Sequence, residues 1–171
     1  MRFMDKHLMK KQIFKIYKKA YKSLEKITPL YFDCGQLCSN KCCKQGSEGM
    51  YLFPYESEYL YGKTNSQIIH TNNGFDLLLC KGECERSTRP LACRIFPMFP
   101  YLDEKGNLEV KFDLRAKSIC PLQYTDIPEI TIEKKFIRRI QRVFKSLTKY
   151  SLFYDYCRKL TDEINFLKKF Y

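Results

Sequence analysis

Residues 34–43 read Cys-Gly-Gln-Leu-Cys-Ser-Asn-Lys-Cys-Cys, so four cysteines fall within ten positions and the last two are adjacent. Three residues separate Cys34 from Cys38, and three more separate Cys38 from Cys42. Adjacent cysteines such as Cys42 and Cys43 rarely form a disulfide with each other, because the bridge would be strained. The stretch therefore predicts a thiol cluster that binds a metal.

A second group of cysteines continues this pattern further along the chain. No apolar segment follows the charged residues 1–10, so we expect no secretory signal. No apolar run approaches the roughly 20 residues that span a bilayer, so we also expect no transmembrane segment and a cytoplasmic location. Thiols stay reduced in that compartment, and a cysteine cluster there indicates metal or redox chemistry before disulfides. The eight predicted metal ligands are Cys34, Cys38, Cys42, Cys43, Cys80, Cys84, Cys93 and Cys120.

The thiolate ligands restrict the candidate metals to a few kinds but do not identify which one is bound. Thiolates suit zinc, Cu(I) and iron–sulfur centres. Eight thiolates could form two zinc sites of four ligands each, or one four-iron cluster with four cysteines left over. The spacings match neither a zinc ribbon nor a ferredoxin. The two histidines are His7 and His70, and we expect His70, beside a predicted turn, to be a surface residue.

Several charged residues lie near the predicted ligands. An all-thiolate site carries net negative charge, which Arg86, Arg89 and Arg94 could balance by charge or by hydrogen bonds to sulfur. The alternative is that these arginines are ordinary surface charges. Glu56 and Glu58 follow the first cluster and could support or complete a metal site, although solvated carboxylates are the simpler expectation.

Apolar periodicity predicts helices at both ends of the chain. A basic amphipathic helix is predicted over 6–27, with Thr28-Pro29 ending it. Two further amphipathic helices are predicted over 131–149 and 152–169. Cys157 falls in the apolar stripe of the last helix, so we expect it to be a buried packing residue rather than a ligand.

Short strands are predicted between these helices. A first hairpin is expected over 67–80, because the Asn-Gly in its centre suits the positive φ angles of a tight turn. A second hairpin is expected to turn at 103–107 and continue into the alternating residues 108–113. Three prolines predict that 85–101 is rigid and irregular.

The predicted fold class is α+β. We expect one small domain over 1–171 with a cysteine-rich metal core at 31–122, short β-hairpins and flanking amphipathic helices. Within that core, 31–50 is expected to form short turns or one irregular helical turn. A short helix is expected around 56–60.

The basic charge is concentrated at the two ends of the chain. Residues 2–26 carry nine Lys or Arg and two acidic residues, and residues 131–171 carry eleven against four, a net charge of +7 in each case. The middle, 27–130, has a net charge of −2. A basic face can attract nucleic acid, an anionic membrane or an acidic protein, or it can simply be solvated.

The cysteines belong to a longer pattern of motifs. These are Cys-x-x-x-Cys-x-x-x-Cys-Cys at 34–43, Phe-Pro-Tyr-Glu at 53–56, Arg-Pro-x-x-Cys-Arg-x-Phe-Pro at 89–97, and Cys120-Pro121. Over about 31–122 this pattern resembles the YkgJ-type cysteine-cluster family, whose members are described as zinc- or iron-chelating. It is also distantly similar to the FliB-like flagellin lysine N-methylases. The resemblance implies metal binding by the matching cysteines.

Three functions are consistent with the sequence. The first is a cytosolic metal-binding protein whose cysteine cluster ligates zinc or an iron–sulfur centre. The second is a metal-dependent protein-modifying factor, methyltransferase-like, which would bind S-adenosylmethionine. The third is a zinc-stabilised nucleic-acid-binding module that uses the basic helices. No dinucleotide-binding glycine motif and no P-loop occur.

Overall fold

Short helices and strands alternate along the computed structural model, which describes residues 6–43, 49–72, 74–82, 84–124 and 130–170. The α-helices are α1 (Lys6–Leu24), α2 (Gly35–Cys38), α3 (Glu56–Leu60), α4 (Leu91–Ile95), α5 (Lys134–Leu147) and α6 (Ser151–Leu167). The strands are β1 (Gly49–Leu52), β2 (Gln67–His70), β3 (Asp76–Leu79), β4 (Met98–Leu102) and β5 (Leu108–Phe112). The predicted α+β class, a small single domain of helices and short antiparallel hairpins, is confirmed.

A three-stranded antiparallel sheet has the order β1-β3-β2. The β2–β3 pair is the first predicted hairpin, with Gln67 opposite Leu79 and His70 opposite Asp76. Residue 73 of its predicted turn lies outside the described residues. Strand β1 was not predicted, because its four residues are too few to show an alternating pattern, and it is defined by pairing with β3.

The second sheet is the predicted hairpin of β4 and β5. Gly106 has a φ of 81° in the connecting turn, a conformation that glycine adopts without strain. The expectation that 85–101 is irregular was wrong, since it contains α4, most of β4 and a 3₁₀ turn at Arg86–Thr88. Pro100 is tolerated within β4 because each strand of a two-stranded sheet is an edge strand.

The apolar faces of the long helices form the core with these sheets. Helix α6 packs on β4, α5 packs on β5, and α1 packs on α5. Leu102 of β4 donates its backbone N–H to Thr161 Oγ1 of α6 at 2.9 Å. Cys157 is fully buried in this core, which confirms its prediction as a packing residue.

Helix α1 ends at Leu24, earlier than the predicted boundary at residue 27. The guanidinium of Arg86 donates hydrogen bonds to the carbonyls of Leu24, at 3.4 Å, and of Ile27, at 2.6 Å. Arg86 Nε also donates to the carbonyl of Glu25. These bonds satisfy carbonyl groups that lack a partner at a helix C-terminus.

The Glu56 carboxylate joins three helices inside the protein. Its Oε1 accepts hydrogen bonds of 2.6 Å from Tyr21 Oη of α1 and from the Leu91 backbone N–H of α4. Its Oε2 accepts from the Phe53 N–H at 2.9 Å. Glu56 is 0% exposed, so the expectation of a solvated carboxylate was wrong. Burial raises its pKa to about 7, although the three hydrogen bonds oppose that rise.

Glu58, two residues later in α3, has a different environment. Its side chain is 45% exposed and pairs with Lys10 on the surface. The expectation of a solvated carboxylate holds for Glu58. A salt bridge this exposed contributes little to stability, typically less than about 1 kcal/mol.

Among the described residues, no helix combines the length and apolar composition that crossing a membrane requires.

Glu56→Ala is expected to lower the free energy of unfolding by about 3 kcal/mol or more, because it leaves three buried donors without their acceptor. Urea denaturation followed by circular dichroism measures this. Glu58→Ala is the matched control, with an expected loss below about 1 kcal/mol. Equal losses in the two variants would contradict the anchoring role of Glu56.

Candidate metal centre

The first four cysteines lie on two short helical pieces. Helix α2 carries Cys38, and a 3₁₀ turn at Lys41–Cys43 carries the adjacent pair. Ser39 and Asn40 have φ angles of 51° and 54°, which end α2. The predicted irregular helical turn is therefore confirmed, and Cys34, Cys38 and Cys42 do not share one continuous helix.

Little apolar packing holds this segment in place. Within residues 31–43 the buried position is Gly35, and the large side chains of Tyr31 and Leu37 are 82% and 43% exposed. Asp33 Oδ1 accepts a 3.0 Å hydrogen bond from the Gly35 N–H and begins α2. Lys41 Nζ donates to the Ser118 carbonyl at 3.4 Å, which brings the segment next to the chain that carries Cys120.

A first group of thiols consists of Cys34, Cys38, Cys42 and Cys120. Burial raises the pKa of Cys34 to about 11, and the nearby charges of Asp33, Cys120 and Cys38 add to the rise. Burial also raises the pKa of Cys120, with a further contribution from Cys38. Cys42 in turn interacts with Cys34 and Cys38. These four thiols are close enough for the charge on one to affect the others.

A second group consists of Cys43, Cys80, Cys84 and Cys93. Burial raises the pKa of Cys93, and the charges of Cys84, Cys43 and Cys80 raise it further. Gly82 provides the turn after Cys80, with a φ of 90°. The Gly82 N–H donates to Cys80 Sγ at 3.4 Å, a bond that stabilises a thiolate.

The adjacent cysteines connect the two groups. Cys42 Sγ lies 3.9 Å from Cys43 Sγ. This separation is far longer than the roughly 2.0 Å of a disulfide bond, so both cysteines are free thiols. The pKa of Cys43 is lowered to about 6 by the hydrogen bond from Cys42 and by the nearby Arg89. The pKa of Cys42 is raised, because the hydrogen bond to Cys43 and burial both favour its protonated form.

Of the three arginines, Arg89 faces the sulfur atoms. Burial lowers its pKa, but a polar contact with the Cys84 sulfur and the charges of Cys84, Cys43 and Cys93 outweigh burial and raise it. Its buried Nε atom has no hydrogen-bond acceptor among the described residues. Arg89 is thus the arginine placed to balance thiolate charge, one of the roles that the sequence predicted.

Arg94 instead holds the backbone beside the cysteines. It is 4% exposed, and its guanidinium lies 4.3 Å from the ring of Tyr21. It donates to the carbonyls of Arg89 at 2.7 Å and Ser87 at 2.9 Å, and also to that of Arg86. Neither Arg94 nor Arg86 is an ordinary surface charge, because both bind main-chain carbonyls.

Tyr21 was missed in the sequence analysis. Its hydroxyl binds Glu56 and its ring lies under Arg94, so it links the core to the loop between Cys84 and Cys93. Its position four residues after Tyr17 of the apolar stripe was a signal for its burial. Its polar contacts depend on residues at least 35 positions away, which the sequence alone does not reveal.

The histidines stay outside the site as far as it is described. The His70 side chain is 81% exposed, and its Nδ1 lies 2.7 Å from Asp76 Oδ1, so the prediction of a surface residue is confirmed. Within the described ranges, no three His, Cys, Asp or Glu side chains have the arrangement that holds a metal ion. The donor chemistry nevertheless fits a thiophilic metal, because the charges of thiols from several segments affect one another and Arg89 lies near Cys43, Cys84 and Cys93.

A polar cavity of about 520 Å³ opens beside the second group. Cys84 forms part of its wall. The other lining residues are Lys63, Thr64, Asn65, Ser66, Lys81, Glu85 and Thr88. A small polar molecule in this cavity would lie next to a predicted ligand.

Comparison with protein-family models, with curated proteins and with solved structures found no match for this chain. The resemblance to the cysteine-cluster family therefore stays a prediction from the motifs.

Arg89→Gln is expected to slow the alkylation of Cys43 by iodoacetamide in the reduced, metal-free protein. Loss of the positive charge raises the pKa of Cys43, and the thiolate is the reactive form. At pH 6, close to the lowered pKa of Cys43, the smaller thiolate fraction is expected to reduce the rate severalfold. Mass spectrometry of the labelled peptides measures it.

Lys105→Gln removes the same charge from the β4–β5 turn and provides the control. It is expected to leave the Cys43 rate unchanged. If both variants react at the wild-type rate, Arg89 does not control the ionisation of Cys43.

Proposed function

We propose that this protein is a cytosolic metal-binding protein whose eight clustered cysteines hold zinc or iron–sulfur centres in two neighbouring four-thiolate sites. The first site consists of Cys34, Cys38, Cys42 and Cys120. The second consists of Cys43, Cys80, Cys84 and Cys93.

The observation that carries this proposal is the convergence of four separate chain segments. Residues 34–43, 80–84, 93 and 120 are separate in sequence, yet the charges on their thiols affect one another, as between Cys34 and Cys120 and between Cys43 and Cys93. Four thiolates are the usual ligand set of structural zinc and of cysteine-bound iron–sulfur clusters. The ninth cysteine, Cys157, is excluded from both sets and buried in the core.

The weak packing of residues 31–43 supports the same proposal. A segment that buries almost no apolar surface gains little stability from the hydrophobic effect. Metal binding can supply the missing stability of this segment, since structural zinc contributes roughly 10–16 kcal/mol of apparent binding free energy in small zinc fingers. When a metal is bound, it supplies charge neutralisation of the thiolates and draws the neighbouring segments together.

Arg89 would then provide charge to the second site. Four thiolates around a divalent ion leave a net negative charge, and a guanidinium near Cys84, Cys43 and Cys93 reduces it. The free Arg89 Nε is also available to donate to a thiolate or to the sulfide of a cluster.

The protein purified without oxygen is expected to contain two zinc ions per chain, or iron and sulfide with absorption near about 400 nm. Cys38→Ser and Cys84→Ser are each expected to lose the metal of one site, because each removes a ligand from a different group. Elemental analysis with the visible spectrum measures both. Cys157→Ser is the matched control and is expected to keep the full metal content.

Absence of stoichiometric metal from the wild-type protein would overturn the proposal. Loss of all metal in each single variant would retain metal binding but contradict the division into two sites, since one shared cluster would then explain the data.

The cavity beside Cys84 favours one second candidate, a metal-dependent protein-modifying, methyltransferase-like factor. A cosubstrate in that cavity would lie next to the second site, and Lys63 and Lys81 would attract its carboxylate. Calorimetry with S-adenosylmethionine and the metal-loaded protein is then expected to show binding that Lys81→Gln weakens. Absence of binding heat with the loaded protein removes this candidate and leaves the metal proposal intact.

A further inference from the structure

The outer sides of α1 and α5 form one continuous surface. The Glu133 N–H donates to the Pro29 carbonyl at 2.8 Å, and Arg139 Nη1 donates to Ser23 Oγ at 3.3 Å. Ser23 lies six residues before Pro29, whereas its partner Arg139 lies six residues after Glu133, the partner of Pro29. The two helices therefore lie side by side and run in opposite directions.

This surface is strongly basic, and we refer to it as the basic face. Within residues 11–26 and 134–149, Glu25 is the one exposed acidic residue. The exposed basic residues of the same ranges are Lys11, Lys15, Lys18, Lys19, Lys22, Lys26, Lys134, Lys135, Arg138, Arg142, Lys145 and Lys149. On each helix these residues lie opposite the buried apolar stripe. A surface of one sign over two helices attracts polyanions at long range.

Between residues 11–26 and 134–149 the basic face presents no exposed large apolar side chain, whereas Leu8, nearer the start of α1, is 50% exposed. The exposed large hydrophobic residues of the described chain all lie outside 11–26 and 134–149. A helix that binds a membrane surface inserts its apolar side, but here residues such as Ile13, Leu24 and Phe144 are in the core. Protein interfaces likewise use aromatic and apolar anchors at their centre.

The lack of exposed aromatic rings on the basic face also indicates which form of nucleic acid, single-stranded or duplex, it suits. Proteins that bind single strands stack bases on exposed aromatic rings, and the basic face has none among its described residues. What remains is contact between Lys or Arg and phosphate groups, which needs no base readout. A duplex presents such phosphates in two regular rows.

The dimensions of the helix pair also fit a DNA duplex. The part of α1 in the basic face, residues 11–24, extends about 21 Å, at about 1.5 Å per residue. Packed helices lie about 8–10 Å apart, and the phosphate rows border a B-DNA major groove about 12 Å wide. The corresponding groove of an RNA duplex is deep and narrow, which suits long side chains on two adjacent helices less well.

We propose that the basic face binds the phosphate backbone of duplex DNA without sequence preference. The proposal rests on the surface of α1 and α5 and does not depend on metal binding by the cysteines.

The test uses the full-length protein and two unrelated fluorescent DNA duplexes, with anisotropy measured over a range of salt. One variant carries Lys15→Gln, Lys19→Gln and Arg142→Gln in the basic face. The control carries Lys105→Gln, Lys168→Gln and Lys169→Gln at exposed positions elsewhere, so both lose the same net charge. Circular dichroism verifies that each variant is folded.

The wild-type protein is expected to bind both duplexes equally, with affinity that falls steeply as salt rises. The basic-face variant is expected to bind both duplexes at least about tenfold more weakly. The magnitude of its slope of log K against log salt is expected to fall by about 2 to 3, because each of the three lost phosphate contacts contributes about 0.9 to that slope. The control variant is expected to keep most of the affinity and slope.

Three results would overturn the proposal. The first is absence of salt-dependent DNA binding, and the second is an equal loss in the control variant, which would indicate a net-charge effect. The third is basic-face binding that is tighter to duplex RNA, to phosphatidylserine vesicles or to polyglutamate than to DNA, which would assign the face to that partner.

Discussion

The buried carboxylate of Glu56 is the contact on which the arrangement of the other elements depends. It accepts hydrogen bonds from α1 through Tyr21, from the start of α4 through Leu91, and from Phe53 just before its own helix. A buried carboxylate is costly without such donors. Because the donors come from three segments, the carboxylate fixes the position of all three at once.

The cysteine segments depend on this anchor through two arginines. Tyr21, held by Glu56, carries Arg94 on its ring, and Arg94 binds the backbone between Cys84 and Cys93. Arg86 attaches the same loop to the end of α1. The apolar core thus sets the position of the second thiol group, whereas residues 31–43 have little packing of their own.

The charge distribution separates the two proposed activities in space. The thiol groups lie in the middle of the chain, where the net charge is −2 before any metal is counted. The basic helices pack through their apolar sides and expose their charges on another surface.

The sequence by itself determined the long helices, the first hairpin, the turn and second strand of the second hairpin, the burial of Cys157 and the surface position of His70, because each follows from local periodicity, turn chemistry or neighbours. It did not determine strand β1, which depends on pairing with β3, or strand β4, which depends on pairing with β5. It also did not determine the early end of α1, where Arg86 binds the carbonyls. Only the tertiary structure decided that Glu56 is buried and that Arg89 lies near Cys43. Both outcomes depend on contacts between residues far apart in sequence, where local patterns carry no information.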